Sequence, residues 1–292
     1  MCKTTDLSII ILNYNGQYWL ERALRSIEKN YLPFTIYRVS VTVVDNASTD
    51  HSVDFLKTID WVRLIEADHN GGYAYGNNLA LRENTSKYVL LLNNDTEFTK
   101  YTSNLDLLVE YMDKHPQTGI ITPRVELANG HIDKACHRGE PKPWIALSYL
   151  TGLEKNFPKS RFFGRYHQGF KNMDKPHTVD SCSGAVMFIR TSAIKKTGLL
   201  DERFFMYGED LDWCKRFRES GYQIIYHPGA SVIHHKYKSG IENDNQDAQK
   251  KAKSWFYNSM LLFYEKHYSS TYPQILNSLI RWLITAKCKY VR

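Results

Sequence analysis

The 292-residue chain lacks a long hydrophobic run. No apolar stretch approaches the ~18 residues a bilayer-spanning helix needs, so a membrane would be met from the side. Its five cysteines, Cys2, Cys136, Cys182, Cys214 and Cys288, form no CxxC pair and no zinc-like spacing. That argues against a disulfide scaffold and a structural zinc knuckle, and fits a reducing setting. The opening MCKTTD carries one lysine and the following LSIIIL is too short for the core of a secretory signal. A first strand and cytoplasmic residence are therefore expected. Internal repeats, low-complexity tracts and a glycine-rich basic phosphate loop near the first strand are also missing.

What is present is ordinary globular composition, 42% hydrophobic and 24% charged, in a chain long enough to bury a sizeable core. The net charge of +7 is uneven. From Lys134 to His177 nine Lys/Arg face three acids, interleaved with aromatics such as Trp144, Tyr149, Phe157, Phe162 and Phe163. This composition suits anionic lipid, phosphorylated substrates or nucleic acid, and equally a solvated variable loop.

Apolar runs alternate with helical spacing over the first ~120 residues, the pattern of an α/β layer structure with a mostly parallel sheet. SIIIL precedes a helix carrying Leu20, Ala23, Leu24 and Ile27; VSVTVV precedes HSVDFLKTI; VRLIEA and YVLLL are also followed by helical segments. Ligands bind beyond the carboxyl ends of strands in such sheets. Tyr14 and Asn15, Asp45 and Asn46, Asn70 to Gly72, and Asn93 to Asp95 each fall just after a predicted strand, so they are expected to converge on one edge. Singly, each cluster is equally well a turn. The stretch 134–177 loses periodicity and carries four prolines, a length of loop that is usually functional or mobile. Beyond it, Leu211, Cys214 and Phe217 mark the buried side of a helix stopped by Gly221, and YQIIY and ASVIH read as two strands split by Pro228-Gly229.

Asp95 can hold a divalent ion, with Asn93 as a neutral oxygen ligand or sugar contact. Asp45 can accept the imide proton of a pyrimidine or simply cap a helix. Glu209, Asp210 and Asp212 crowd the first turn of a predicted helix. Dipole preference alone puts acids there, but their mutual repulsion raises at least one pKa, as a general base requires. Of His234 and His235, adjacent in a strand, one faces each side, and His234 is the preferred nitrogen ligand for a Mn²⁺-type site.

The motifs SIIILNYNG, VVDNASTD, NGGYAYGNN, LLNND and GLLDERFFMYGEDLDWCKRFRESGY, in that order over residues 7–240, resemble the family 2 glycosyltransferases of the GT-A fold, in particular bacterial rhamnosyl- and galactofuranosyltransferases. The resemblance implies a Rossmann-like α/β catalytic domain at 1–240, with 134–177 as an acceptor-side loop region and 241–292 as a C-terminal helical extension. It implies that Leu12, Asn13, Tyr14 and Asn15 border the base, Tyr14 stacking on it, and that Asp45 reads it. Asn70, Gly71, Gly72, Asn77 and Asn78 would line nucleotide and donor sugar, with Asn93 and Asn94 beside them. Asp95 would hold Mn²⁺ or Mg²⁺ on the diphosphate, with His234 as a further ligand. Asn93 stands where many relatives place Asp. Asp210 would be the catalytic base, with Glu209 and Asp212 orienting it or the acceptor. Arg216, Lys236, Lys238 and Ser239 are candidate phosphate contacts.

The implied reaction is inverting transfer of a sugar from a nucleotide diphosphate, of dTDP-rhamnose or UDP-hexose type, to a glycan or lipid-linked glycan in bacterial surface polysaccharide synthesis. The C-terminal PQILNSLIRWLITAKCKYVR has helically spaced apolar residues, basic residues and no acid. It suits anionic lipid at the cytoplasmic face of the inner membrane, core packing or a homodimer alike. Nucleic acid is disfavoured as a partner. Two other readings remain: a nucleotidyltransferase, and a non-enzymatic binding protein for nucleic acid or anionic surfaces, whose binding would survive loss of Asp95 and Asp210.

Overall fold

The computed structural model describes residues 6–99, 104–236 and 246–291. Its first half alternates as the apolar runs require: β1 (Leu7–Asn13), α1 (Gln17–Asn30), β2 (Val39–Asp45), α2 (Ser52–Leu56), β3 (Val62–Glu66), α3 (Gly72–Glu83) and β4 (Tyr88–Asn93). β1 and β4 are buried almost throughout, which explains sequences apolar on both faces. β3 ends the row, and its Arg63 and Glu66 point charge into solvent at the sheet edge. α1 buries Leu20, Ala23, Leu24 and Ile27, one stripe at helical spacing.

Then follow β5 (Thr96–Glu97), α4 (Asp106–Lys114), β6 (Thr118–Leu127), α5 (Pro143–Leu150), α6 (Leu153–Asn156), β7 (His177–Val179), β8 (Val186–Arg190), α7 (Thr191–Thr197), α8 (Glu209–Glu219), β9 (Gln223–His234), α9 (Gln246–His267) and α10 (Gln274–Val291). The described strands form one sheet, ordered β3-β2-β1-β4-β8-β6-β9-β5, with β7 on β9. β1, β2, β3, β4, β6 and β9 run in one direction, and β8, β5 and β7 run against it. The sheet is thus mixed, parallel where the sequence alternates and antiparallel where β8 is inserted.

Two expectations are corrected. The YQIIY and ASVIH segments form the single strand β9: its pairing with β6 passes from Pro123–His227 to Arg124–Ser231, so Pro228, Gly229 and Ala230 bulge out and the ladder resumes. Pro228 has no N–H to give the ladder, which a bulge tolerates. The aperiodic 134–177 stretch is not structureless, since it contains α5, α6 and a 3₁₀ turn at Lys134–Cys136.

Gly208 (φ +80°) precedes α8 and Gly221 (φ +87°) follows it, both in the left-handed region that glycine enters without steric cost. α9 and α10 pack on each other, and Lys266 and His267 of α9 bind Asp212 of α8. Phe204, Phe263, Tyr264 and Tyr268 form a second apolar cluster, and Ser259 donates to the Met206 carbonyl at 2.9 Å.

Candidate active site

The carboxyl ends of β1 to β4 are level: Asn13 pairs with Asp45, Asp45 with Glu66, and Leu12 with Asn93. Buried Asn13 donates to Asp45 Oδ2 at 3.0 Å and accepts from Asn94 Nδ2 at 2.8 Å, so three strand ends are joined by side-chain amides. Asp45 Oδ1 accepts from Ser48 N at 2.8 Å, and Ser48 Oγ accepts from Asn15 N at 2.9 Å. Asn15 itself has φ +49°, a conformation Asn adopts more readily than most residues. Tyr14 is 47% exposed beside this network, available for stacking.

Asn46 Nδ2 donates to Asn70 Oδ1 at 2.8 Å and to the Gly72 carbonyl at 3.2 Å, while Gly71 N donates weakly to Asn46 Oδ1. Gly72 (φ +85°) starts α3 so close to the 204–208 loop that a Cβ would stand 2.1 Å from Phe205 O. Asn77 and Asn78 are used differently from the expectation. Both are buried. Asn77 bonds back to Tyr73 O at 2.9 Å, and Asn78 donates to Leu200 O and Glu202 and accepts from Leu200 N, clamping α3 to the chain before α8. Leu12 packs against Gly76 of α3.

His234, rather than His235, meets Asp95: its Nε2 lies 3.3 Å from Asp95 Oδ1 and its Nδ1 lies 3.2 Å from Asp133 Oδ2. His235 turns the other way, to Glu97 at 2.8 Å and onto the Trp19 ring. Burial opposes protonation of His234, but Asp133 and Asp95 outweigh it and raise its pKa to about 9. Asp133 is buried too. Although burial pushes its pKa up, His234, Lys236 and the Ala135 N–H hold it well below the ordinary carboxylate range.

Among the described residues no group of three or more His, Cys, Asp or Glu side chains is arranged to enclose an ion. Asp95 and His234 still fit one by the chemistry of their donors. They offer a carboxylate and, once an ion displaces the ring proton that faces Asp95, an imidazole nitrogen, and Asp133 behind Nδ1 orients the ring as an outer carboxylate does for a metal-bound histidine. Two protein donors suit a hard cation that completes its shell from water and phosphate.

The three acids of α8 separate. Asp210 Oδ2 accepts from Arg138 Nη2 at 2.5 Å and from Gly184 N at 3.3 Å, and Oδ1 accepts from Leu211 N at 2.7 Å. Glu209 is buried, and its Oε2 finds no hydrogen-bond partner among the described residues. Burial, then the Asp210 charge, push its pKa up to about 8, as the crowding of acids led one to expect. Asp212 is a correction. It is fully buried on the other face of α8, bound to Arg216 Nε at 2.9 Å, Lys266 Nζ at 2.6 Å and His267 Nε2 at 2.7 Å, so it ties α9 down instead of serving the reaction. Arg216 is likewise spent on Asp212 and on the carbonyls of Thr197 and Leu199, not on phosphate. Lys236 reaches Asp133 at 3.1 Å; Lys238 and Ser239 lie outside the described residues.

The Asp210 and Asp95 regions meet through the segment before β8. Gly184 N donates to Asp210, Gly184 O accepts from Tyr73 Oη at 2.6 Å, and Ala185 O accepts from Asn93 N at 2.9 Å. Arg138, Asp133 and Tyr73 belong to the site and were missed. Arg138 and Asp133 come from chain without periodicity, and Tyr73 was hidden beside the glycines of NGGY.

A level row of polar strand ends, linked through the segment before β8 to a buried acid at the start of α8, is the arrangement of an α/β fold of the GT-A class. In keeping with that, a mannosyltransferase from Pyrobaculum calidifontis solved with GDP-Man and Mn²⁺ has this fold, at TM-score 0.57 and 16% identity over 91% of the present chain. The chain spans 64% of that protein's length. Residues 8–196 match Glycosyl transferase family 2, and residues 149–291 match Glycosyl transferase family group 2. The chain belongs to glycosyl transferase family 2. Among its relatives, an N-acetylglucosaminyl-diphospho-decaprenol L-rhamnosyltransferase of Mycobacterium tuberculosis is 26% identical over 247 residues, 80% of this chain and 77% of the relative. A low-salt glycan biosynthesis hexosyltransferase of Haloferax volcanii is 29% identical over 238 residues, 79% and 67% respectively.

Proposed function

We propose that the protein is an inverting glycosyltransferase that moves a sugar from a nucleotide diphosphate, of dTDP-rhamnose or UDP-hexose type, to a hydroxyl of a glycan or lipid-linked glycan in bacterial surface polysaccharide synthesis. One observation carries the reading: the Gly184-Ala185 segment hydrogen-bonds both Asp210 and the strand end that leads into Asp95. That link supports reading Asp210 as the proton acceptor and Asp95 as the start of the diphosphate site. The names of the relatives support the acceptor class.

Asp45, fixed by Asn13 and Ser48, faces the base, and Tyr14 stacks on it. The backbone at Asn70 to Gly72 approaches the donor, helped by the missing Cβ at Gly72. Asp210 takes the acceptor hydroxyl proton as that oxygen attacks the anomeric carbon in a single displacement, and the nucleotide diphosphate leaves on the opposite side. Arg138 pairs with Asp210 and aims its carboxylate. Glu209, holding its proton to about pH 8, adds no second charge that would compete for the acceptor proton. Asp95 and His234 would hold Mn²⁺ or Mg²⁺, which when bound neutralises charge on the diphosphate. Residues 1–240 serve as the catalytic unit, with 134–177 as its acceptor-side region, and 241–292 as a C-terminal helical extension that associates with the membrane. We place the enzyme at the cytoplasmic face of the inner membrane; no described helix is long and apolar enough to cross it.

The test is thermal stabilisation by UDP, dTDP, GDP and CMP with and without Mn²⁺, in wild type, Asp95→Ala and Asp210→Asn. A metal-dependent shift with one nucleotide, lost in Asp95→Ala and kept in Asp210→Asn while the latter's turnover falls at least ~100-fold, is expected. Folded protein that responds to no nucleotide refutes the reading.

A further inference from the structure

An apolar cavity of about 190 Å³ is bounded by α5, the start of α8, α9 and α10. Its walls include Leu147, Leu150, Leu211, Met260, Leu283 and Ile284. Gly208 and Leu211, which bracket Glu209 and Asp210, also line it. Of the six hydroxyl side chains in the wall, three are already spent: Ser259 on Met206 O, Tyr264 on Asn277 and Tyr268 on Glu140. A sugar placed there would give up water for few partners, whereas a hydrocarbon loses nothing.

The cavity opens onto an apolar face. Its lining residues Leu147, Leu150 and Leu283 are 47%, 57% and 46% exposed, and Trp144, Leu279 and Trp282 continue that surface along α5 and α10. A contiguous exposed apolar surface marks an interaction site. α10 contains no acidic residue and exposes Lys287 and Lys289 beyond its apolar residues, a charge that complements phosphate-bearing lipid.

We propose that this cavity receives the hydrocarbon tail of a lipid-linked acceptor, entering between α5 and α10 and presenting its head group to Asp210. The proposal rests on the acceptor side of the function given above. It explains why α9 is anchored to α8 through Asp212 and to the loop just before α8 through Ser259. Tail burial then contributes affinity while the reacting hydroxyl is read at Asp210 alone.

The test uses farnesyl and geranyl monophosphate as probes, with inorganic phosphate as the head-group control. Binding to the full chain is measured by calorimetry with UDP and dTDP saturating, so that the diphosphate site is filled. Each methylene taken from water is worth about fourfold in affinity, so farnesyl phosphate should bind at least about tenfold more tightly than geranyl phosphate, and inorganic phosphate not measurably. Ala146→Trp, which fills the cavity, and Leu283→Glu, which charges its exposed rim, should each weaken farnesyl phosphate about tenfold or more and leave nucleotide binding unchanged. Leu283 is half exposed, so its variant tests the idea even if Ala146→Trp fails to fold. Equal binding of the two chain lengths, or wild-type binding in both variants, overturns the proposal. So does a wild-type dimer that ignores prenyl phosphates and becomes monomeric in Leu283→Glu, which assigns the face to a second copy of the chain. Chain-length dependence retained in a protein that binds no nucleotide sugar would refute the transferase reading and uphold the cavity.

Discussion

Replacing Glu209 by glutamine should make the protein more stable at neutral and alkaline pH and leave it unchanged in acid. A carboxyl in water loses its proton near pH 4.5, whereas Glu209 keeps its own to about 8 because it is buried beside the charged Asp210. Between those limits the native state binds one proton more than the unfolded state, so stability falls as pH rises. The slope is about 1.4 kcal/mol per pH unit, which makes the loss roughly 3 kcal/mol by pH 7. A glutamine side chain has the same shape and no titrating proton. Urea unfolding of both proteins at pH 5, 7 and 8.5 should show near-equal stability at pH 5 and an advantage for Glu209→Gln of about 2–3 kcal/mol at pH 7, widening at 8.5. Parallel curves for the two proteins would refute the assignment of Glu209 as the neutral member of the pair.

Asp212→Ala leaves Arg216, Lys266 and His267 facing one another around a vacated buried position, and should cost about 3–5 kcal/mol of stability, read by denaturant unfolding. Gly72→Ala forces a Cβ onto Phe205 O in a left-handed conformation; donor binding should fall at least ~10-fold in a nucleotide-sugar titration, even where the protein still folds. Asp133→Asn removes the carboxylate behind His234 without touching Asp95, and Mn²⁺ affinity, followed by the electron spin resonance of the ion, should drop about 10–100-fold.

The level row of strand ends was legible because it follows from strand chemistry. A buried parallel strand must be apolar on both faces, so the step to Asn13, Asp45 or Asn93 marks where it leaves the core, and the register then brings those steps level. The rest of the candidate site is built from contacts that no local pattern records. Arg138 reaches Asp210 across 72 positions and Asp133 reaches His234 across 101. Asp212 misled because three carboxylates in one helical turn look alike in sequence, while a rotation of two residues carries one of them to the opposite face. Pro228-Gly229 misled because punctuation residues interrupt a strand only where its neighbour does not carry the ladder past them.

Glu140 brings three distant stretches to one point: it comes from the turn before α5, binds Lys215 and Arg218 of α8, and accepts the hydroxyl of Tyr268 at the end of α9. Its pKa is held down to about 2, against the effect of burial, by Tyr268 and those cations. Chimaeras between family members will therefore respect a boundary the linear map hides. Exchanging only the C-terminal helices would pair a foreign surface with an unmatched buried carboxylate, whereas moving everything from 134 onward as one block carries the whole joint across.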